Sequence, residues 1–280
     1  MTAAALSNEL KSILARAGVD NPAGDAALIL EKALGCSHAA LIARFHEEVP
    51  FDAANTAAAM ARRRAAGEPI QYVLGEWSFM GRDYLVGEGV LIPRDDTEVV
   101  VRAALNQIKA VPSPAIVDLC AGSGIIAITL DRELSDACVA AVEKSDEAFP
   151  YLCRNITLNR ADVKPIHADL CDCADRFADG SLDLIISNPP YIRTSELPRL
   201  QSEVQYEPKM ALDGGEDGCA FYEMILRLWT KKLKHGGVIA FELGEGQFDP
   251  VAEMLRQNGY SRIVDHPDIQ GTARAVTAIR

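Results

Sequence analysis

The chain has 280 residues, 49% hydrophobic and 24% charged, with a formal net charge of −12. That composition is globular, suits one large domain or two smaller ones, and argues against the broad basic surface with which duplex-binding proteins replace phosphate counterions. No apolar run approaches the roughly 18 residues of a membrane span, and the opening MTAAALSNELKSILARAG reads as an amphipathic helix rather than a signal peptide, so a cytoplasmic protein without membrane attachment is expected.

Residues 1–66 read as helices throughout. SNELKSILARAG offers Ser7 as a cap and Gly18 as a stop, NPAGDAALILEKALG starts on Asn-Pro and ends at Gly35, and CSHAALIARFHEEVP and FDAANTAAAMARRRAAG follow. Pieces of about 10–17 residues with short connections predict a small helical bundle. The basic run ARRRAAG at 61–67 reads as a solvated helix face. Residues 67–95, with aromatic and β-branched residues broken by glycines, predict a hairpin linker. Within it, Trp77 and Phe79 read as core, or as a wall of the site.

From residue 96 to 280 a helix, DDTEVVVRAALNQI, leads into alternating strands and helices. The strands are AIVDLC, CVAAVEK, VKPIHADL, LDLIISN and GGVIAFELG, and two strand candidates in succession, SRIVDH and RAVTAI, close the chain. The alternation predicts an α/β fold with a mainly parallel sheet covered on both faces, and the last pair an antiparallel hairpin. Seven cysteines are scattered, at 36, 120, 138, 153, 171, 173 and 219, without Cys-x-x-Cys. They read as reduced thiols, and no metal is expected. His167, on a strand, reads as packing.

VDLCAGSG puts Asp118 and the glycines Gly122 and Gly124 directly after the first parallel strand, where doubly wound sheets bind ligands. The dinucleotide fingerprint and the Walker lysine are absent. Glu143 ends the second strand, 19 residues after Gly124, where a carboxylate can accept from both ribose hydroxyls. Asp169 ends the third, at the height of an exocyclic adenine amine. Asp118 can meet an ammonium group, directly or through water. Adenosine plus an amino acid, with no phosphate cradle, describes S-adenosylmethionine.

SNPPYI at 187–192 ends the fourth strand. An amide or exocyclic amine is a poor nucleophile because its lone pair is delocalised. A site that methylates one must accept its N–H groups and leave the lone pair facing the methyl donor. The Asn188 side-chain oxygen and the Pro189 carbonyl supply acceptors, and the prolines fix the backbone that carries them. Tyr191 offers a flat face to a planar group.

The Asn-Pro-Pro-Tyr signature resembles that of class I methyltransferases acting on planar nitrogens. GEPIQYVLGEWSFMG, VLIPRDDTE, DLCAGSG, NPPYI, EVQYEP, ALDGGEDG and DIQGTAR occur in the order typical of the HemK-type (PrmC-like) N(5)-glutamine methyltransferases of peptide chain release factors. The resemblance covers 67–280 closely, and 1–66 as a helical segment in the expected place. It implies a class I S-adenosylmethionine-dependent fold: a Rossmann-like seven-stranded sheet, last pair antiparallel, behind a helical domain that contacts the release factor. It implies that the turn Cys120, Ala121, Gly122, Ser123, Gly124 binds S-adenosylmethionine together with Glu143 and the Asp169–Leu170 pair, with Asn188 bordering the methyl group. It implies that Asn188 and Pro189 hold the glutamine amide of a Gly-Gly-Gln loop while Pro190 and Tyr191 shape its slot, and that S-adenosylhomocysteine leaves. A class 1 release factor is then the partner, with no direct nucleic-acid contact and a monomeric enzyme. Two residues depart from the family pattern: Cys120 stands where glycine is usual, and Asp95 where proline is common. Two other readings stay open at this point: an adenine methyltransferase of nucleic acid sharing the four-residue signature, and a silent binding protein that keeps the fold.

Overall fold

The computed structural model describes residues 1–280. Its contacts divide the chain into two compact units, residues 1–76 with 201–206, and residues 77–200 with 207–280.

The first unit is helical. Its elements are α1 (Ala3–Arg16), α2 (Pro22–Leu34), α3 (His38–Ala43), α4 (Phe51–Ala65) and α5 (Ile70–Leu74). Thr2, not Ser7, caps α1, its hydroxyl accepting from Ala5 N at 3.3 Å. Ser7 lies inside the helix because α1 starts five residues earlier than a cap at Ser7 implies. Asn21 caps α2, and Gly35 ends it in the left-handed conformation that glycine adopts without cost. The third helix is shorter than its sequence suggests. Beyond Ala43 the carbonyls of Phe45 and Glu47 accept from Ala4 N and Ala3 N, both at 3.0 Å, and so satisfy the free first turn of α1. Leu6, Leu10 and Leu14 of α1 and Ile29 and Leu30 of α2 are buried, as are Ala57 and Ala61 of α4, whose small side chains let the helices approach closely.

The run at 61–67 is a solvated basic face only in part: Arg62 and Arg63 are exposed, Arg64 is not. Arg64 is buried, pairs with Asp25 at 2.6 Å and also meets Glu203, while Arg63 pairs with Glu68 and donates to the Tyr72 carbonyl at 3.1 Å. The start of the expected linker is α5, whose Ile70, Tyr72, Val73 and Leu74 are all buried. Gly75, with φ of 76°, ends it.

The second unit opens on a hairpin, β1 (Glu76–Phe79) and β2 (Arg82–Leu85), turned at Met80 and Gly81, both with positive φ as a two-residue hairpin turn requires. Helix α6 (Thr97–Ile108) follows. The sheet is then built from β3 (Ala115–Leu119), β4 (Cys138–Glu143), β5 (Val163–His167), β6 (Leu182–Ser187), β7 (Leu233–Glu242), β8 (Ser261–Pro267) and β9 (Ala273–Ile279). Between them run α7 (Ile125–Glu133), α8 (Phe149–Leu158), α9 (Leu170–Cys173), α10 (Lys209–Leu212), α11 (Ala220–Trp229) and α12 (Phe248–Gln257). Strand order is β5-β4-β3-β6-β7-β9-β8; β3 to β7 pair in parallel, and β9 runs antiparallel between β7 and β8. The seven-stranded sheet with an antiparallel closing pair is the expected one. Chain order reverses between β3 and β6, so the carboxyl ends of these neighbours form the switch-point crevice.

Alternate strand residues point to opposite faces. Val117, Leu119 and Ile185 join one apolar cluster with Tyr222 and Trp229, while Ile116, Leu184 and Ile186 join another with Val100 and Ile128. The hairpin is fastened to this body by the buried Asn155 amide, which accepts from Leu85 N at 2.7 Å and donates to the carbonyls of Leu85 (3.0 Å) and Ser123 (2.9 Å).

Candidate active site

The turn after β3 is stitched to the end of β4. Ala121 N donates to the Val142 carbonyl at 3.0 Å and Gly122 N to Glu143 Oε2 at 2.7 Å. Cys120, Gly122 and Gly124 all have positive φ, of 61°, 54° and 87°. A residue other than glycine at such an angle costs on the order of 1 kcal/mol, so the turn survives the Cys120 substitution under strain. The two glycines do different work. A Cβ on Gly122 would meet nothing within 4 Å, so its backbone faces open space. A Cβ on Gly124 would lie 2.6 Å from Leu152 Cδ1, so that glycine is needed for packing.

Glu143 is buried. Each of its oxygens accepts one backbone N–H, Oε2 from Gly122 and Oε1 from Ser145 at 2.7 Å, leaving further lone pairs toward the crevice. Asp169 caps α9 by accepting from Cys171 N at 2.8 Å and pairs with Lys144 at 2.8 Å. Partial burial alone would raise its pKa, but the Lys144 ammonium and the Cys171 N–H outweigh that and hold the carboxyl below its usual value.

At the end of β6, Ser187 donates to the Leu119 carbonyl at 2.6 Å, tying β6 to β3. Asn188 follows, its Nδ2 3.4 Å from the Thr97 hydroxyl. The backbone of 190–192 runs through a channel lined by glycines of ALDGGEDG. Ile192 N donates to the Leu212 carbonyl at 2.9 Å and Gly214 N to the Ile192 carbonyl at 2.7 Å. A Cβ on Gly214 would stand 2.7 Å from Tyr191 Cα, and one on Gly218 2.5 Å from the Tyr191 carbonyl oxygen. Gln247 Nε2 donates to that same carbonyl at 3.0 Å.

One pocket collects most of the residues read from the sequence. Cys120, Ala121, Gly122, Ser123, Glu143, Asp169, Leu170, Asn188 and Pro190 line it, while Asp118, Gly124, Pro189 and Tyr191 do not. Asp118 is fully buried and accepts from Ala127 N at 3.1 Å, inside the first turn of α7, while its Oδ1 has no partner. Burial raises its pKa well above the ordinary range. The carboxylate expected to meet an ammonium group is therefore a helix cap beneath the turn. Tyr191 turns its hydroxyl inward to Glu242 Oε1 at 3.3 Å instead of walling the pocket. His167 stacks on Phe149 with ring centroids 4.4 Å apart, Phe79 is buried in the core, and neither it nor Trp77 lines the pocket. No group of three or more His, Cys, Asp or Glu is arranged to hold a metal ion.

Residues 5–75 match the PrmC N-terminal domain, and residues 96–207 match the methyltransferase small domain. A release factor glutamine methyltransferase of Geobacter sulfurreducens is 38% identical over 267 residues, 95% of this chain and 92% of that protein. The chain belongs to the release factor glutamine methyltransferase family. The family member of Corynebacterium glutamicum is 39% identical over 95% of this chain and 94% of its own. Solved structures share the fold at lower identity. A methyltransferase of Pyrococcus furiosus has a TM-score of 0.54 at 19% identity, covering 72% of this chain and 90% of its own. The hMettl16 catalytic domain, in complex with a MAT2A 3'UTR hairpin, has a TM-score of 0.57 at 16% identity, covering 81% and 80%.

The family motifs VLIPRDDTE and EVQYEP meet at the pocket wall. Glu207, buried, accepts from Ile92 N at 2.9 Å and pairs with Arg94, and both Ile92 and Arg94 line the pocket. Burial raises the Glu207 pKa despite the Arg94 charge and the Ile92 N–H. Thr97, Met210, Phe221 and Met224 also line the pocket without having been singled out from sequence. Nor was Glu242, although an acid closing the apolar run VIAFE is the same signal that marks Glu143.

Proposed function

We propose that this chain transfers a methyl group from S-adenosylmethionine to the side-chain amide nitrogen of the glutamine in the Gly-Gly-Gln loop of a peptide chain release factor, and so modulates translation termination. The observation that carries the reading is the placement of Asn188 in the same pocket as the 120–123 turn, Glu143 and Asp169.

The pocket fits S-adenosylmethionine. Open space lies above Gly122, and two carboxylates with lone pairs to spare line the wall at the ends of β4 and β5. Glu143 would hold the ribose, and Asp169 with Leu170 the adenine. Cys120, Ala121, Gly122 and Ser123 would bring backbone close to the amino-acid moiety, with Gly124 and Asp118 supporting the turn from behind. When bound, the cofactor supplies a methyl group activated by a sulfonium. The protein's part is to hold and orient the amide. The Asn188 oxygen and the Pro189 carbonyl accept its N–H groups and leave its lone pair free toward the methyl carbon. The backbone N–H removed at Pro189 and Pro190 leaves that stretch without competing donors. Pro190 bounds the slot, and Tyr191 acts from behind it. Alignment of this kind supplies ~7–11 kcal/mol in favourable cases. The methylated nitrogen carries positive charge, so its proton leaves to water without a general base. The release factor, rather than nucleic acid, is the partner that the chain's net charge of −12 also favours.

Mass measurement on a release factor incubated with the protein and S-adenosylmethionine tests this. One added methyl on the Gly-Gly-Gln glutamine is expected. An unmodified factor, or faster transfer to adenine in DNA or RNA, would overturn it.

A further inference from the structure

Pro189 and Pro190 carry no N–H, so the stretch that presents the Pro189 carbonyl cannot be tied down by donors of its own. It is held at its two ends. Upstream, Ser187 pairs in register with Leu119 and with Phe241, and its hydroxyl donates to the Leu119 carbonyl at 2.6 Å. Downstream, Ile192 N donates to the Leu212 carbonyl and the Ile192 carbonyl accepts from Gly214 N. The remaining group at that end, the Tyr191 carbonyl, is met by a side chain, that of Gln247.

Gln247 stands at the N-cap of α12, yet its side chain does not cap the helix. It turns back into the protein and is buried there. Its Nε2 donates to the carbonyls of Tyr191 at 3.0 Å and Gly218 at 3.2 Å. Its Oε1 accepts from Gly244 N at 2.9 Å, and the Tyr222 hydroxyl stands 3.3 Å from the same oxygen. Carbonyls are matched only by the nitrogen and a backbone N–H only by the oxygen, so the neighbours fix which end of the amide is which. Both donors are spent, and they are spent on two segments distant in sequence. The protein also leaves room for the amide. A Cβ on Gly218 would stand 2.7 Å from Nε2, and one on Gly244 2.8 Å from Oε1.

A buried amide satisfied by backbone on both sides holds that backbone in one arrangement. We propose that Gln247 is a positioning residue for methyl transfer: it clamps the downstream end of the Asn188–Pro190 stretch to the 212–218 loop and to the end of β7, and so sets where the acceptors on Asn188 and Pro189 stand. This rests on the reading of those two residues as the acceptors for the substrate amide.

Gln247→Met keeps the length of the side chain and removes both donors. Gln247→Glu keeps an oxygen for Gly244 N but, in either protonation state, has at most one donor for the two carbonyls. Leu255→Ala is the control, because it opens a cavity beside the same helix and removes no hydrogen bond. The first measurement is made on the free protein by NMR. In Q247M the N–H groups of Ile192 and Gly214 should exchange about tenfold faster relative to the sheet amides of Val117 and Ile185 than they do in the wild type, and L255A should show no such excess. The second is transfer to a release factor. Q247M should lose about ten- to a hundredfold in kcat, the range spanned by one lost hydrogen bond and a misplacement of about 1 Å. Its KM for the factor and its S-adenosylmethionine affinity by calorimetry should stay within about twofold of the wild type. L255A should melt lower and keep its kcat, and Q247E should be slower than the wild type. A Q247M that turns over like the wild type, a loss of kcat matched in L255A, or unchanged relative exchange at Ile192 and Gly214 would overturn the proposal. A wild type that methylates no release factor would defeat the reading beneath it, and the proposal with it, and the wild-type assay alone shows that case. Should Q247M fail to fold, Q247E carries the same comparisons.

Discussion

Glu242 is a carboxyl group in the core with one oxygen unpartnered, and burial there outweighs the opposing hydroxyls of Thr97 and Tyr191 and the Arg274 charge, while Asp96 adds to it; together they push its pKa from 4.5 up to about 7. The sign of the consequence follows from linkage. The folded state binds this proton more tightly than the unfolded chain, so the group costs nothing below about pH 4.5, its penalty grows as pH rises toward 7, and it is complete above that. The penalty is on the order of 3 kcal/mol. Glu242→Gln is therefore expected to melt higher than the wild type at pH 8, with the difference shrinking toward pH 5, as thermal unfolding of both proteins across that range would show. An equal difference at all pH values would mean that the carboxyl is not held neutral by the fold. Single-residue chemistry of this kind was only partly legible beforehand. Glu143 and Asp169 were found because acids at strand ends beside a glycine turn have a known use. Asp118 carried the same signal but lies deeper: it pairs in register with Ala141, two residues before Glu143, so it shares that face yet sits below the turn and caps α7.

At the scale of elements, NPPYI is held by segments distant in sequence. The 212–218 loop lies against its backbone at van der Waals distance, and Gln247 at the start of α12 holds the Tyr191 carbonyl. Gly214→Ala would drive a methyl group into Tyr191 Cα and the Pro190 carbonyl, both under 3 Å. Overpacking against backbone costs about 1–3 kcal/mol, and the strain falls on the residues flanking Asn188. The variant is expected to lose transfer activity disproportionately to its drop in melting temperature, whereas Gly246→Ala, which meets no neighbour within 4 Å but has φ of 77°, should affect stability alone. The strand and helix alternation of the second unit was legible because its apolar runs end on glycine, proline and acidic residues. Helix α5 was not, because IQYVL is too short for a period and its β-branched and aromatic residues favour a strand; burial of four of its five residues decides otherwise. Helix α3 was read too long because partners for α1's first turn lie 40 residues away, beyond any local pattern.

Over the whole molecule, no helix is long and apolar enough to cross a membrane. The helical unit buries a charged pair, Arg64 with Asp25, and Arg64 also meets the partly exposed Glu203 of the 201–206 segment. Removing one partner of a buried pair leaves an uncompensated charge at a cost of about 3–5 kcal/mol, whereas replacing both with apolar groups is often neutral. Arg64→Ala should therefore unfold at markedly lower denaturant than the wild type, and the double change Arg64→Met, Asp25→Leu should recover much of the loss. If Arg64→Ala unfolds with the wild type, the pair is not what holds Glu203 and α2 to α4. In the sequence the three arginines read as one basic cluster. Only the fold shows that Arg64 is buried against Asp25 and that Arg63 is paired with Glu68. The central claim is that Asn188, set by its neighbours at the end of β6, orients a release-factor glutamine for methylation. Its most direct test is the mass of the Gly-Gly-Gln peptide from a release factor treated with wild-type protein and with Asn188→Ala. One added methyl with the wild type and none with Asn188→Ala, both proteins binding S-adenosylmethionine equally, is the predicted result. Methylation that persists in Asn188→Ala, or a peptide unmodified by either protein, would contradict it.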